Sequence, residues 1–190
     1  MTIEFAILGL LSWRSFSGYD LKKIISESDL FYWSGNNNQI YRALVQLHTD
    51  DLVSQEVIYQ ESLPAKKVYS ITEKGRVRLR EWIMASPELP EIHNPFLIQL
   101  AWADPLSGQE IGGILDRYEE ELAAQLVMLQ GKNRRASEKP DRSPRENYLW
   151  QMINENILSK CQNELDWVRV VKKQLQMKGF FNENETGNKP

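Results

Sequence analysis

The side chains best suited to chemistry in this chain lie in a polar stretch, from Trp33 to Thr49, that contains no acidic residue. Read as a helix that ends near Asp50, this stretch places apolar residues on one face at i, i+3, i+4 and i+7. These residues are Ile40, Ala43, Leu44 and Leu47. The opposite face carries Asn38, Arg42, Val45 and Gln46, with Gln39 and Tyr41 on its flanks. Amide groups can pair bidentately with adenine and a guanidinium with guanine, so the pattern predicts a helix that reads base edges.

Each polar residue of this stretch also has a plainer interpretation. Asn36 and Gln39 have the spacing of an N-cap pair. Helix capping is therefore the alternative to groove contact for Asn36, Asn37, Asn38 and Gln39. We expect Asn36 to cap, and Asn38 and Gln39 to contact bases. Tyr41 either donates to a phosphate or packs. Arg42 contacts a base or phosphate rather than only water.

The elements around this stretch have the order of a winged helix-turn-helix. A helix over Thr2–Ser12, in which Gly9 is expected to permit close helix packing, precedes a second helix opened by the capping residues Ser17 and Asp20. Two strands follow the central helix, Val53–Tyr59 and Val68–Ile71, separated by a polar tip. Thr72 then caps a helix that ends near Met84, whose apolar residues are Val77, Leu79, Trp82 and Ile83.

Prolines separate this region from a second, helical one. Pro87, Pro90 and Pro95 predict a linker over residues 86–95, between a domain of residues 1–85 and a helical domain of residues 96–178. The predicted helices there run from Phe96 to Ala103, from a capping box of Ser107 and Glu110 to about Leu129, and from Ser143 to about Lys178, where Gly179 predicts a stop. A polar connection is expected from Gly131 to Pro144, and a disordered tail over residues 179–190.

The last helix carries a long apolar stripe that one helical hairpin cannot cover. A second copy of the chain is the simplest partner, and two recognition helices held one DNA turn apart would read a pseudo-palindrome. The predicted fold class is therefore mostly α, a winged helix-turn-helix with a two-stranded wing plus an antiparallel helical dimerisation domain. The residues assigned to dimerisation are Tyr148, Met152, Ile153, Ile157, Cys161, Leu165, Val168 and Leu175.

Composition limits the classes of function. The 190 residues carry a net charge of −3, and residues 1–85 contain equal numbers of basic and acidic side chains, so DNA binding must come from local patches. One cysteine, no segment long enough to span a bilayer and no signal peptide favour the cytoplasm. Neither a metal-ligand spacing nor a catalytic motif is present, so we expect no metal, no cofactor and no enzyme.

Three sequence blocks resemble the PadR family of bacterial transcriptional regulators. They are Ser17–Leu21, Gln39–Leu44 and Val68–Gly75, and their order and spacing match the family. The helical remainder is similar to the longer PadR subfamily, whose C-terminal helices dimerise. The resemblance implies a cytoplasmic homodimer that binds double-stranded operator DNA, usually as a repressor. One departure is Asp51, which stands where the family usually has glycine; we expect it to make the same left-handed turn.

The resemblance also implies roles outside the central helix. Lys66 and Lys67 in the wing (residues 62–67) would reach the DNA backbone or minor groove, although lysines at hairpin tips also serve solubility, and Tyr19 is a further phosphate candidate. Relatives bind flat aromatic compounds, so an effector pocket between subunits competes with plain core packing for five aromatic residues. These are Phe5, Trp13, Phe96, Trp102 and Trp150.

Two other functions stay open at this point. A winged helix can act purely as a protein-interaction adaptor, and the balanced charge of residues 1–85 is compatible with that. A small-molecule-binding protein without a DNA function is the other alternative.

Overall fold

A computed structural model describes residues 2–28, 30, 37–59, 65–90, 94–135 and 142–181 of the chain. The chain forms two compact units, Met1–Leu89 and Pro90–Pro190. The described part is mostly helical with one small antiparallel sheet, as predicted. None of its helices combines the length and the apolar character needed to cross a bilayer.

The first unit has the helix and strand order of a winged helix-turn-helix. Its elements are α1 (Thr2–Trp13), β1 (Phe16–Ser17), α2 (Gly18–Glu27), α3 (Asn37–Thr49), β2 (Val53–Ile58), β3 (Lys66–Ile71) and α4 (Glu73–Met84). The predicted capping box is present at α2, because the Ser17 hydroxyl accepts from the Asp20 amide and the Asp20 carboxylate accepts from the Ser17 amide. Thr72 caps α4 as expected.

The wing hairpin gains a third strand that the sequence did not indicate. β2 pairs with β3 from Val53 opposite Ile71 to Ile58 opposite Lys66, and β1 pairs with the other edge of β3. A strand of two residues is too short to show an alternating pattern, so periodicity could not find it. Its effect is to tie the start of α2 to the wing.

One apolar core holds the first unit together. Buried side chains of α1, α2 and α3 meet Val53 and Tyr69 of the sheet, and Leu8, Leu21 and Leu44 have no exposed surface. One packing expectation is wrong. An added Cβ at Gly9 would have no heavy atom within 4 Å, so no close helix approach requires this glycine. Val77 and Ile83 are exposed, because only one side of α4 faces α1; Leu79 packs on the core and the Trp82 ring stacks on Phe5.

The second unit is a helical hairpin preceded by a short helix. Its elements are α5 (Pro95–Ala101), α6 (Gly108–Arg135) and α7 (Pro144–Met177). α5 ends two residues before the predicted Ala103. α6 runs through Gly131 to Arg135, so the predicted start of the connection at Gly131 is wrong; one internal glycine costs a helix only about 1 kcal/mol. The core of this unit contains Phe96, Leu115, Leu122, Leu129, Cys161, Leu165 and Val168.

The ends of the two long helices are specified locally. Ser107 and Glu110 form the expected capping box at the start of α6. After α7, Gly179 has φ +78, and the Phe180 and Gly179 amides donate to the carbonyls of Leu175 and Gln176, both at 3.1 Å. This is a Schellman ending, and it confirms the predicted stop at Gly179. The predicted start of a disordered tail at residue 179 is wrong, because Phe181 packs on the core of this unit.

Gly75 offers a stability test of the first unit. A Cβ there would overlap the carbonyl oxygen of Leu52 and come within 2.9 Å of Ile71. We expect Gly75→Ala to lower the free energy of unfolding by about 1–3 kcal/mol, since neither neighbour can move freely. Gly9→Ala is the matched control and should be neutral or stabilising by up to about 1 kcal/mol. Urea unfolding followed by circular dichroism checks both, and equal effects at the two sites would contradict the packing.

Cys161 offers a test of the helical hairpin. Its side chain is buried against α6, where the thiol donates to the Leu122 carbonyl at 3.6 Å, and burial raises its pKa. In the folded chain, a smaller fraction of the thiol is ionised and the reagent cannot reach it until the hairpin opens locally. We therefore expect iodoacetamide to alkylate Cys161 more slowly than in the unfolded chain, by on the order of a hundredfold or more. Mass spectrometry of time points in buffer and in guanidinium measures this. Equal rates in the two conditions would show that the hairpin is open.

Candidate nucleic-acid interface

The orientation of α3 is set by its apolar face. Ile40, Ala43, Leu44 and Leu47 are all buried in the core of the first unit. They occupy one side of the helix, where α3 contacts α1, α2 and β2. A side chain about 180° away on the wheel must then point to solvent. The predicted division of α3 into a packed face and an open face is therefore confirmed.

The open face of α3 has the chemistry that the sequence suggested. Asn38, Gln39, Arg42 and Gln46 are exposed, Tyr41 is 44% exposed and Val45 65%. The Arg42 guanidinium has no hydrogen-bond or ion-pair partner among the residues that the structure describes. Gln46 is less available, because its amide donates to both carboxylate oxygens of Asp50 at 3.0 Å. Arg42 is thus the cation on this face that is open to an incoming anion or base.

The start of α2 lies directly against α3. A Cβ on Gly18 would stand 3.0 Å from Cε1 of Tyr41, so a larger residue at position 18 would press on that ring. Tyr19, the next residue, is 68% exposed. The proximity of Tyr41 also raises the pKa of Tyr69, although burial is the larger cause. Tyr41 therefore packs beside the start of α2 while 44% of its surface stays exposed, and its contact with a phosphate stays a prediction.

A turn at Asp51 ends α3 and joins it to α4. Asp51 has φ 58, which confirms the expected left-handed turn without glycine. The Thr72 hydroxyl donates to the Asp51 carbonyl at 2.7 Å, and the Lys74 ammonium donates to the Asp50 carbonyl at 2.8 Å. Sequence reasoning missed both bonds, because they join positions more than twenty residues apart. They supply partners to backbone carbonyls just beyond the end of α3.

The two wing lysines differ in their surroundings. Lys66 and Lys67 are both exposed at the start of β3. Lys66 forms an ion pair with Asp20 of α2 at 3.2 Å, and the hydroxyl of Ser17 donates to the same carboxylate at 2.7 Å. The Ser17 hydrogen bond is the largest cause of a lowered pKa at Asp20, with further contributions from Lys66. The sequence did not suggest this pairing, and the preceding wing residues 60–64 lie outside the described residues.

Contacts link α2 both to α3 and to the wing in the first unit. Tyr41 touches the start of α2, and Asp20 connects α2 to Lys66 in the wing. Of the other predicted contacts, Asn36 and the side chain of Asn37 lie outside the described residues, so the Asn36–Gln39 cap stays a prediction.

The five aromatic candidates for an effector pocket form no single cluster within either unit. In the first unit, Phe5 is buried and stacked on Trp82 at 4.6 Å, and Trp13 packs partly buried on the core. In the second, the buried Phe96 stacks on Tyr118 at 3.7 Å, Trp102 is 80% exposed, and the Trp150 ring lies 4.5 Å from the Arg142 guanidinium. Phe5 and Phe96 are thus core residues, which is the alternative to a role in an effector pocket.

A polar network that the sequence did not reveal joins the three helices of the second unit. The Tyr118 hydroxyl and the Asn94 amide both donate to the Glu164 carboxylate at 2.9 Å. The oxygen of Asn94 also caps α5 by accepting from the Phe96 amide. Burial is the largest cause of the raised pKa of Tyr118. The network fixes the start of α5 against the long hairpin.

The residues assigned to dimerisation divide into two groups. Cys161, Leu165 and Val168 are covered by α6 within a single chain, so these three belong to the hairpin's own core. Tyr148 is exposed, and partial exposure remains at Met152, Ile153, Ile157 and Leu175. Ion pairs join the two helices along one edge, where Glu119 of α6 meets both Arg169 and Lys172 of α7. The apolar surface open to a partner is therefore narrower than the sequence suggested.

No group of metal-ligating side chains occurs among the described residues. Nδ1 of His48 lies 3.1 Å from the Val53 carbonyl, and His93 lies outside the described range.

Two family models match successive parts of the chain. Residues 7–81 match the transcriptional regulator PadR-like family, and residues 92–176 match the virulence activator alpha C-terminal family. Each match falls within one of the two structural units.

Similar proteins extend this relation over nearly the whole chain. The negative transcriptional regulator PadR of Bacillus subtilis is 26% identical over 172 residues, covering 89% of this chain and 94% of the relative. A crystal structure of B. subtilis PadR in complex with operator DNA superposes with a TM-score of 0.81, at 24% identity over 92% of this chain and 99% of the other. A second, in complex with p-coumaric acid, gives a TM-score of 0.73 at 24% identity over 96% of each chain.

Sequence, structure and similarity agree on the kind of protein. They comprise the three sequence blocks, the winged first unit with its exposed α3 face, the helical second unit and these matches. The chain therefore consists of a PadR-like transcriptional regulator domain followed by a virulence activator alpha C-terminal domain.

Proposed function

We propose that this chain represses transcription by binding a pseudo-palindromic operator as a cytoplasmic homodimer. The observation that carries the proposal is the exposed, acid-free face of α3, on which Arg42 has no partner among the described residues. B. subtilis PadR, a negative regulator that has been crystallised with operator DNA, supports the direction of the effect. A dimer that occupies a promoter would block access to it.

The proposed contacts follow the surface of the first unit. Asn38, Gln39 and Arg42 of α3 read base edges in the major groove, where amides pair with adenine and guanidinium with guanine. Tyr41 and Tyr19 donate to phosphates beside the groove, and Lys67 and Lys66 approach the backbone from the wing. Asn36 and Asn37 are proposed as further contacts, since α3 begins at Asn37 and the backbone amides of a helix start also favour an anion.

Dimerisation is proposed for the exposed side of α7. Tyr148, Leu149, Val170 and Met177 leave large apolar side chains in solvent on this helix, beside the partly buried Met152 and Ile153. Covering that surface with a second copy would hold two recognition helices at a fixed separation.

An aromatic effector is proposed to release the DNA by favouring a different dimer geometry. B. subtilis PadR has been crystallised with p-coumaric acid, a small phenolic acid of this kind. Of the five aromatic candidates, Trp102 and Trp150 keep exposed ring surface and are the residues most able to reach a ligand.

Arg42 is the first substitution to test. Operators would be selected from a random duplex library, and binding of the chain to the selected site measured across a salt series. Arg42→Ala should weaken binding about 5- to 150-fold, since a bidentate base contact is worth about 1–3 kcal/mol. Arg80→Ala, which removes an exposed arginine from α4 in the same unit, is the matched control and should change affinity little.

Equal losses from the two arginine substitutions would contradict base reading by α3 and indicate a general charge effect. Selection of no preferred sequence, with binding that ignores salt, would contradict the proposed function and favour a protein-interaction role.

Sedimentation equilibrium tests the proposed dimer. The measured mass should be about twice the 22.2 kDa of one chain. Tyr148→Asp should shift the equilibrium toward monomer, because it places a charge in the apolar contact. Tyr59→Asp makes the same chemical change at an exposed position of the first unit and should leave the mass unchanged. A monomer at tens of micromolar that still binds the selected operator tightly would contradict the dimer model.

A further inference from the structure

Asp20 is an acidic residue inside the surface proposed to bind DNA. It lies in the first turn of α2, one residue after the exposed Tyr19 and two after Gly18, which touches Tyr41. A carboxylate at this place completes the capping box of α2 and is favoured by the helix dipole, but it would also repel a phosphate. Its effect on DNA binding therefore depends on the cation that it faces.

The carboxylate is fixed by three donors that converge on one oxygen. The Ser17 hydroxyl donates to Oδ2 at 2.7 Å, the Ser17 amide at 3.3 Å, and the Lys66 ammonium lies 3.2 Å away. The hydrogen bond from the Ser17 hydroxyl is the largest cause that holds the pKa of Asp20 below its usual value, so the group is ionised at neutral pH. Lys66 consequently faces a full negative charge.

The backbone holds donor and acceptor together. Ser17 of β1 pairs with Val68 of β3, two residues after Lys66, and the hydroxyl of Ser15, just before β1, hydrogen-bonds with that of Ser70 in β3 at 2.6 Å. The wing therefore keeps Lys66 next to Asp20 before any DNA arrives.

We propose that Asp20 limits sequence-independent DNA binding by holding and neutralising Lys66. This inference rests on the proposed function. Non-specific affinity comes from cations that displace counterions from phosphates, and a lysine already paired with a carboxylate displaces fewer of them. Both side chains are about two-fifths exposed, so the pair is open to water and a correctly placed phosphate can still compete for the lysine. Specific binding keeps its base contacts from α3, since the carboxylate of Asp20 is bonded to Ser17 and Lys66, both outside α3.

Asp20→Asn tests this directly, because the amide keeps an oxygen for Ser17 and removes only the charge. Binding to a random-sequence duplex would be followed by fluorescence anisotropy from 50 to 300 mM KCl. With Lys66 released, the slope of log Kobs against log salt should steepen by about 0.9, and affinity at 0.1 M salt should rise about five- to tenfold. Thermal unfolding by circular dichroism verifies that the variant is folded.

Two further variants separate the ion pair from net charge. Glu27→Gln removes the same charge at the opposite end of α2 and should leave the slope unchanged. In the Lys66→Gln background, Asp20→Asn should no longer add to the slope, since the lysine that it would release is gone.

An unchanged slope in Asp20→Asn, or an equal increase in Glu27→Gln, would overturn the inference while leaving operator binding intact. Failure of the unaltered chain to bind any duplex would overturn the proposed function, and this inference with it.

Discussion

The burial of four apolar side chains on one face of α3 is the constraint on which the rest of the interface depends. Leu44 has no exposed surface, and Ile40, Ala43 and Leu47 are buried beside it in the core that α3 shares with α1, α2 and the sheet. Rotation of α3 about its axis would expose these residues, at a cost of about 1.5–3 kcal/mol for each large one. The direction in which Arg42 points is therefore fixed by hydrophobic burial on the other side of the helix, and no polar contact is needed to aim it.

Contacts at both ends of α3 hold its exposed face in a fixed position relative to the rest of the first unit. At its C-terminal end, the left-handed Asp51 and the donors Thr72 and Lys74 join the helix to α4. At the N-terminal side, Tyr41 packs beside Gly18, and β1 holds the start of α2 to the wing. The recognition helix, the second helix and the wing consequently form one body. A mechanism that changes DNA affinity would act on the spacing between two such bodies rather than within one.

Much of this fold follows from local sequence. The period of α3, the capping residues Ser17, Thr72 and Ser107, and the stop at Gly179 each act over a few residues, and each was predicted. What sequence could not supply depends on distant partners: the strand pairing of β1, the Asp20–Lys66 ion pair and the Asn94–Tyr118–Glu164 network. The same limit explains the errors. An apolar stripe shows that a face is buried without showing by what, so Cys161, Leu165 and Val168 were assigned to a second chain when α6 covers them.

Photocrosslinking from α3 tests the central claim most directly. A benzoylphenylalanine at Val45, on the open face one turn from Arg42 and 65% exposed, would be irradiated with the selected operator. The same probe at Ile98, comparably exposed in the second unit, is the control. We predict crosslinks from position 45 to bases in two half-sites about 10 base pairs apart, with few from position 98. Crosslinks from position 98 alone, or equal yields at both positions, would contradict the account that α3 reads the DNA.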